Sequence, residues 1–270
     1  MKILDYTNET IKGLYDLTGK AIVITGGGGG LGLSMAKGFA NFGADLVLTG
    51  RTQEGLDNAA AALEDTGAKV LTVAADTLDP ADCDRIVAET VANFGAVDVL
   101  VPAAGVARRH AAEEFPKDDF DLIIDTNVKG TWYIVQAVGK QMIKQFEQGK
   151  SPAGKIINIT SARAKYGHAL GYGAYATSKG AVVSMTRQLA FEWAKFDINV
   201  NALGPTIVMS ELTKPVTDDP AKAREFTDRI LFNRAMAPDE LIGSAVFLAS
   251  AASDFITGQI LYVDGGSAPA

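Results

Sequence analysis

Thr25-Gly26-Gly27-Gly28-Gly29-Gly30-Leu31-Gly32 lies between a short apolar run, Ala21-Ile-Val-Ile24, and a segment in which Leu33, Met35, Ala36, Phe39 and Ala40 recur at helical spacing. Strand, glycine turn and helix together make the geometry that receives a dinucleotide pyrophosphate. Glycine permits the tight turn and lets backbone N–H groups approach phosphate at the helix N-terminus. Taken alone, such a run also fits a flexible loop. Its register is open. Gly27, Gly29 and Gly32 fit G-x-G-x-x-G, whereas Gly26, Gly30 and Gly32 fit T-G-x-x-x-G-x-G.

Outward from this turn, apolar runs alternate with helical patterns. Strands are expected at Lys20–Thr25, Asp45–Gly50, Lys69–Ala74, Val97–Val101, Lys155–Thr160, Ile198–Ala202 and Gln259–Val263. Helices are expected from the glycine run to Phe42, then at Glu54–Thr66, Pro80–Phe94, Asp118–Glu147, Tyr175–Lys195 and Pro238–Ser250. Short, nearly all-apolar strands suit a parallel sheet covered on both faces. The fold class is therefore α/β: a single-domain, Rossmann-type doubly wound parallel sheet with helices on both faces. Residues 1–19 read as a polar lead-in and 20–267 as the one domain. The charged, irregular segment 204–235 is too long for an ordinary connection and reads as a lid.

Composition excludes several classes. The chain has 270 residues, 47% of them hydrophobic, and a formal net charge of −7, which argues against non-specific nucleic-acid binding. A single cysteine, Cys83, permits no internal disulfide, fits a reducing compartment and reads as a small structural residue. Asp5 and Glu9 interrupt any secretory signal, and the longest uncharged stretch, Ala21 to Ala36, is too short to span a bilayer. A soluble cytoplasmic protein is expected. The only histidines, His110 and His168, lack ligand-like spacing, and no metal site is expected.

A second signal is Tyr175-Ala-Thr-Ser-Lys179, a phenol and an ammonium on one helix face, one turn apart. Tyrosine titrates near about 10, too high for proton transfer at neutral pH, and a neighbouring ammonium lowers that value. The same residues also read as an ordinary tyrosine and a solvated lysine. Ser161 ends the fifth strand, at the sheet edge where α/β proteins bind ligands. There its hydroxyl either binds a substrate carbonyl or caps a loop.

Thr25-Gly26-x-x-x-Gly30-x-Gly32, Asn127, Ser161 and Tyr175-x-x-x-Lys179, in this order and spacing, resemble the short-chain dehydrogenase/reductase signature. The resemblance spans about residues 14–267, including Leu17-x-Gly19-Lys20 and Val263-Asp264-Gly265-Gly266, and selects Gly26, Gly30 and Gly32 as the register. It implies a catalytic set. Tyr175 is the general acid in reduction and the base in oxidation. Lys179 binds the nicotinamide ribose and depresses the tyrosine pKa. Ser161 orients the carbonyl, and Asn127 helps hold a water leading protons to the lysine, or is simply a helix-interior amide satisfying backbone groups. It further implies that Gly26, Gly30, Leu31 and Gly32 hold the pyrophosphate and that Asp76 and Thr77 lie at the adenine. Ala104 and Gly105 supply small backbone near the cofactor, and Pro205, Val208 and Ser210 hold the carboxamide. A homotetramer built on the Asp118–Glu147 and Tyr175–Lys195 helices is implied as well.

Three departures stand out. Pro102-Ala-Ala-Gly105 replaces the usual Asn-Asn-Ala-Gly, losing the strand-bridging hydrogen bonds of the first asparagine. The gap from Ser161 to Tyr175 is one residue longer than the commonest spacing, and Thr206 follows Pro205 where glycine is usual.

For the cofactor, Gly50 stands where an acid would bind the ribose 2′-hydroxyl of NAD, and Arg51 follows it. Arginine suits a 2′-phosphate, so NADP is favoured over NAD, although Gly29 lacks the basic side chain that NADP-preferring relatives often carry. For the substrate, Arg108, Arg109, Arg163 and His168 lie on loops beside the expected site, as carboxylate-binding cations or as solvated charges. Gly105-x-x-Arg-Arg109, Asp125-Thr-Asn-Val-Lys-Gly130 and Gly258-Gln-Ile-Leu-Tyr-Val-Asp-Gly-Gly266 resemble gluconate 5-dehydrogenases and related keto-sugar-acid reductases. The resemblance thus implies hydride transfer between nicotinamide and a sugar acid or keto-sugar. The alternatives are a 3-oxoacyl reductase and a dinucleotide-binding sensor without turnover.

Overall fold

A computed structural model describes residues 7–167, 169, 171–210 and 213–267. The first half of the chain runs α1 (Asn8–Gly13), β1 (Ala21–Thr25), α2 (Gly30–Asn41), β2 (Asp45–Gly50), α3 (Gln53–Ala61), β3 (Val70–Ala74), α4 (Pro80–Phe94) and β4 (Val99–Pro102). There follow α5 (Lys117–Ile124), a π-helical turn (Asp125–Gly130), α6 (Thr131–Glu147), β5 (Gly154–Ile159), α7 (Gly173–Trp193) and β6 (Ile198–Pro205). The chain ends through α8 (Lys214–Thr217), α9 (Pro220–Thr227), α10 (Ile242–Ala249) and β7 (Ile260–Val263). No helix among the described residues is long and apolar enough to cross a membrane.

The strands form one parallel sheet in the order β3-β2-β1-β4-β5-β6-β7. Side chains of a strand alternate between its faces, and the core divides accordingly. Ile22, Ile24, Leu46 and Leu48 pack on one side with Met35 and Phe39 of α2 and Leu248 of α10. Val23, Val47 and Leu100 pack on the other with Ile86 of α4, Val138 and Met142 of α6, and Leu189 of α7. This is the doubly wound sheet that the strand pattern predicts. Strand order reverses between β1 and β4, and parallel strands place all their C-terminal ends on one edge, so the crevice forms where those two strands end.

Several boundaries differ from the sequence expectation, each for a local reason. The expected helix Asp118–Glu147 is interrupted at Asp125–Gly130, where the chain widens to a π turn. Its Asn127 amide is captured by the backbone of Val106, 21 residues upstream. Segment 204–235 is not irregular throughout. Asp219 caps α9 by accepting from the N–H groups of Ala221 (3.0 Å) and Lys222 (3.3 Å), and Pro220 opens the helix. β6 extends to Pro205 rather than Ala202, pairing Gly204 and Pro205 with Tyr262 and Val263. The lead-in carries α1, and its Leu17 is fully buried, donating to the Phe42 carbonyl at 2.9 Å. The β4–β5 ladder stops at Leu100 opposite Ile156, short of Pro102. Proline offers no N–H, and no asparagine follows to bridge the strands.

Trp193, the last residue of α7, lays its ring over Gly139 of α6, where an added Cβ would lie 2.8 Å from ring atom Cζ2. Alanine gains about 1 kcal/mol over glycine in a helix interior, and overpacking a filled core costs about 1–3 kcal/mol. Gly139→Ala is therefore expected to lower unfolding free energy in urea by up to about 2 kcal/mol. A raised midpoint would remove the ring from that position.

Candidate active site

The glycine turn is shaped by what cannot fit in it. Gly26 has φ +66°, and a Cβ there would lie 2.9 Å from the backbone N and Cα of Ala104. A Cβ on Gly32 would lie 2.9 Å from the carbonyl carbon of Gly26. Gly30 takes φ +52° with open space around it, whereas Gly29 is extended and unconfined. The conformational demand thus falls on Gly26, Gly30 and Gly32. Thr25 ties the turn to the loop after β4: its carbonyl accepts from Ala103 N–H and its Oγ1 from Ala104 N–H, both at 3.2 Å. Gly29 at the N-cap of α2 has no side chain to cap the helix, which leaves its first N–H groups open to a ligand. A bare helix terminus behind glycines fits a pyrophosphate.

Residues from neighbouring strand ends reach the same edge. Arg51 is exposed at the end of β2, just before α3. Asp76 follows β3 and is held by reciprocal turns: its N–H donates to Asp82 Oδ2 (2.8 Å) and its Oδ1 accepts from Leu78 N–H (3.0 Å). Thr77 presses on Gly130 of the π turn, whose Cβ would lie 2.8 Å from the threonine Oγ1. Pro205 ends β6. Beyond it, buried Val208 bridges Met236 and accepts from Thr213 Oγ1, while Ser210 Oγ lies 3.1 Å from the same hydroxyl.

Ser161, Tyr175, Lys179 and Asn127 are brought together by fastening α7 to β5 and to the loop after β4. Thr160 Oγ1 donates to the Lys179 carbonyl and Lys179 Nζ donates to the Ile159 carbonyl, both at 2.9 Å. Asn127, fully buried, accepts from Val106 N–H (2.8 Å) and donates to Val106 O (2.9 Å) and Ser178 Oγ (3.0 Å). Ser178 in turn donates to the Tyr175 carbonyl at 2.7 Å. Both donors of the Asn127 amide are thus engaged with protein, and the residue acts as a strut. Gly105 lets the loop approach: a Cβ there would lie 3.2 Å from Asn127 Oδ1 and 3.6 Å from Lys179 Nζ.

Electrostatics sharpen the picture. Burial brings the Lys179 ammonium down to about 8. Burial also pushes the Tyr175 hydroxyl up, opposed by its hydrogen bond to Ser161; Tyr172 raises it further and Arg163 lowers it. The sequence expectation that Lys179 depresses Tyr175 is not met in the chain itself. The ammonium is turned to the Ile159 carbonyl, 5.8 Å from the phenol ring centre. Tyr175 is held protonated.

The expected cations separate. Arg108 Nε lies 3.7 Å from Asp119, whose other oxygen holds His110 Nε2 at 2.6 Å. Arg109 lies over the rings of Tyr172 (5.4 Å) and Phe226 (5.6 Å), and Arg163 over Tyr172 (5.6 Å). His168 lies outside the described residues. Tyr172 meets Tyr175 edge-to-face with centroids 5.9 Å apart. Tyr172 and Phe226 are absent from the sequence expectation. The i, i+3 spacing of Tyr172 and Tyr175 is the signal that marks the first. Nothing local marks Phe226, which α9 carries in from 54 residues beyond Tyr172.

The chain is similar to known proteins over nearly its whole length. A family model described as Enoyl-(Acyl carrier protein) reductase matches residues 26–268. Gluconate 5-dehydrogenase of Gluconobacter oxydans is 37% identical over 257 residues, covering 94% of this chain and 96% of the relative. The 2-dehydro-3-deoxy-D-gluconate 5-dehydrogenase of Dickeya dadantii is 39% identical over 254 residues, covering 93% and 96%. The crystal structure of a gluconate 5-dehydrogenase from Burkholderia cenocepacia, in complex with NADP and tartrate, superposes with a TM-score of 0.87 at 36% identity, covering 94% and 97%. With the parallel sheet, the glycine turn and the Ser161–Tyr175–Lys179 group already in place, these likenesses make the chain a member of the short-chain dehydrogenase/reductase family.

Proposed function

We propose that the protein is an NADP-dependent oxidoreductase that interconverts a keto-sugar acid and its hydroxy acid, in the manner of a gluconate 5-dehydrogenase. The observation that carries this reading is the Tyr175 hydroxyl, hydrogen-bonded to Ser161 and joined to the glycine turn through the loop after β4, where Gly105 lies against Lys179 and Ala104 against Gly26. Gly26, Gly30, Leu31 and Gly32 would hold the pyrophosphate, Arg51 the 2′-phosphate, and Asp76 and Thr77 the adenine side. Ala104, Gly105, Pro205, Val208 and Ser210 would line the nicotinamide side, with Tyr175 and Lys179 at its ribose. The bound cofactor supplies or accepts the hydride.

The chain's own residues manage the proton. Ser161 orients the carbonyl, and Tyr175, held protonated by burial, donates its proton to the forming alkoxide. Lys179, one helical turn away and turned to the Ile159 carbonyl, would hold the nicotinamide ribose. Asn127 keeps that helix and the loop after β4 in register. Arg109 and Arg163 make one rim of the crevice cationic within an acidic protein, which supports a carboxylate-bearing substrate and does not suit the apolar chain of a 3-oxoacyl thioester. Segment 204–235 serves as the lid, and α9 carries Phe226 to that rim. The enzyme works as a cytoplasmic homotetramer. Exposed aromatics on the helices that would meet, Phe120 of α5, Trp132 of α6 and Phe191 of α7, support the assembly.

Three outcomes test this reading. Reduction of 5-keto-D-gluconate by NADPH, followed at the cofactor's absorbance, is expected in the wild type. Tyr175→Phe should lower kcat by about 10²- to 10⁴-fold with cofactor affinity nearly intact. Wild-type rate in that variant would exclude Tyr175 as the acid. Arg51→Asp should reverse the NADP-over-NAD preference in kcat/KM, and unchanged selectivity would remove Arg51 from the 2′-phosphate.

A further inference from the structure

The cations at the crevice are not equivalent. Arg108 is exposed, turned to Asp119 and donating to the Ala107 carbonyl at 2.9 Å. Arg109 is exposed too, and its contact with Phe226 ties the loop after β4 to α9 of the 204–235 segment. Arg163 is different in three respects. It is half-buried. Its guanidinium has no hydrogen bond and no ion pair among the described residues, only the ring of Tyr172 beneath it. Its backbone N–H donates at 3.2 Å to Ser161 Oγ, and the Ser161 side chain also bonds the Tyr175 hydroxyl. One serine thus fixes Arg163 relative to the reacting phenol.

A guanidinium drawn out of water without an anion is unfavourable. Burial holds Arg163 below the ordinary arginine range, and Arg229 nearby adds to this, against the pull of Tyr172, Tyr166 and Tyr175. Folds keep such uncompensated charges where a ligand supplies the missing partner. The planar fork of arginine matches a carboxylate through two parallel hydrogen bonds. Tyr172, edge-on to Tyr175 at 5.9 Å, is the plate that sets the plane of that fork.

Building on the sugar-acid reading, we infer that Arg163 receives the substrate carboxylate, that Tyr172 is the positioning residue that aims it, and that Arg109 serves the contact with α9 instead. The acid end of the substrate is thereby tethered from the tyrosine side of the crevice, and neutral keto-sugars lose that tether.

Binding separates this inference from the activity it builds on. NADPH-saturated protein, which cannot exchange hydride with an alcohol, is titrated calorimetrically with D-gluconate and with the neutral polyol D-glucitol. The wild type is expected to bind gluconate about tenfold or more tightly than glucitol, as a hydrogen-bonded ion pair implies. Arg163→Gln should abolish that preference, and Arg163→Lys should keep part of it. Tyr172→Leu should lose most of the preference and raise KM for 5-keto-D-gluconate more than it lowers kcat. Tyr172→Phe, which keeps the plate, should restore both. Retained NADPH binding, read by fluorescence, certifies each variant as folded. No preference in the wild type, or a preference that survives in Arg163→Gln, overturns the inference. A wild type that prefers gluconate yet fails to reduce the keto acid overturns the activity and leaves the carboxylate site standing.

Discussion

An ammonium held out of water is the constraint around which this molecule is arranged. Lys179 is 5% exposed and gives a hydrogen bond to the Ile159 carbonyl at 2.9 Å. Among the described residues no carboxylate pairs with it. Burial brings its pKa from 10.5 to about 8, a penalty of about 3 kcal/mol in the charged form. That equals about what burying one leucine contributes. The two-sided sheet, with core on both faces, is what lets the chain carry it.

Keeping the charge in place requires three elements to agree. Thr160 fastens the backbone of α7 at Lys179 to the end of β5. The Asn127 amide joins the loop after β4 to Ser178 of α7, and the helix between α5 and α6 opens into a π turn to release it. Such bulges concentrate at functional sites because they re-aim a side chain that a regular helix would bury in its own ladder. The β4–β5 ladder ends at Leu100, so the strands part below this junction. The same loop reaches the glycine turn at Ala104. The glycine turn, the tyrosine helix and the lysine are therefore tied to one another through this loop.

What the sequence made legible is local. The glycine run announces itself between an apolar strand and a helical pattern. The Tyr175–Lys179 spacing needs only the helical period, and alternation of apolar strands with helices suffices for the sheet. What stayed hidden depends on distant contacts. The π turn at Asp125–Gly130 follows from Val106, and no period in that helix announces it. Arg108 and Arg109 look alike in the chain, yet one faces Asp119 and the other Phe226. Tyr175 reads as a depressed phenol if Lys179 is assumed to point at it; the Ile159 carbonyl draws the ammonium elsewhere and burial decides the sign. By contrast α9, in the segment expected to be irregular, was within reach, because Asp219-Pro220 is a helix-opening pair.

Equilibrium unfolding of Lys179→Met against pH tests the central claim, that stability is given up here to keep a charge in the site. The folded pKa lies below that of an exposed lysine, so the folded chain bears the full penalty below pH about 8. As pH rises toward 10.5 the unfolded chain holds the extra proton and wild-type stability increases. The variant, which loses the bond to Ile159 but not the volume, should be about 1–3 kcal/mol more stable than the wild type at pH 7. That gain should fade between pH about 8 and 10.5, with turnover abolished throughout. A variant no more stable than the wild type at pH 7, or a difference that does not change with pH, would contradict the account.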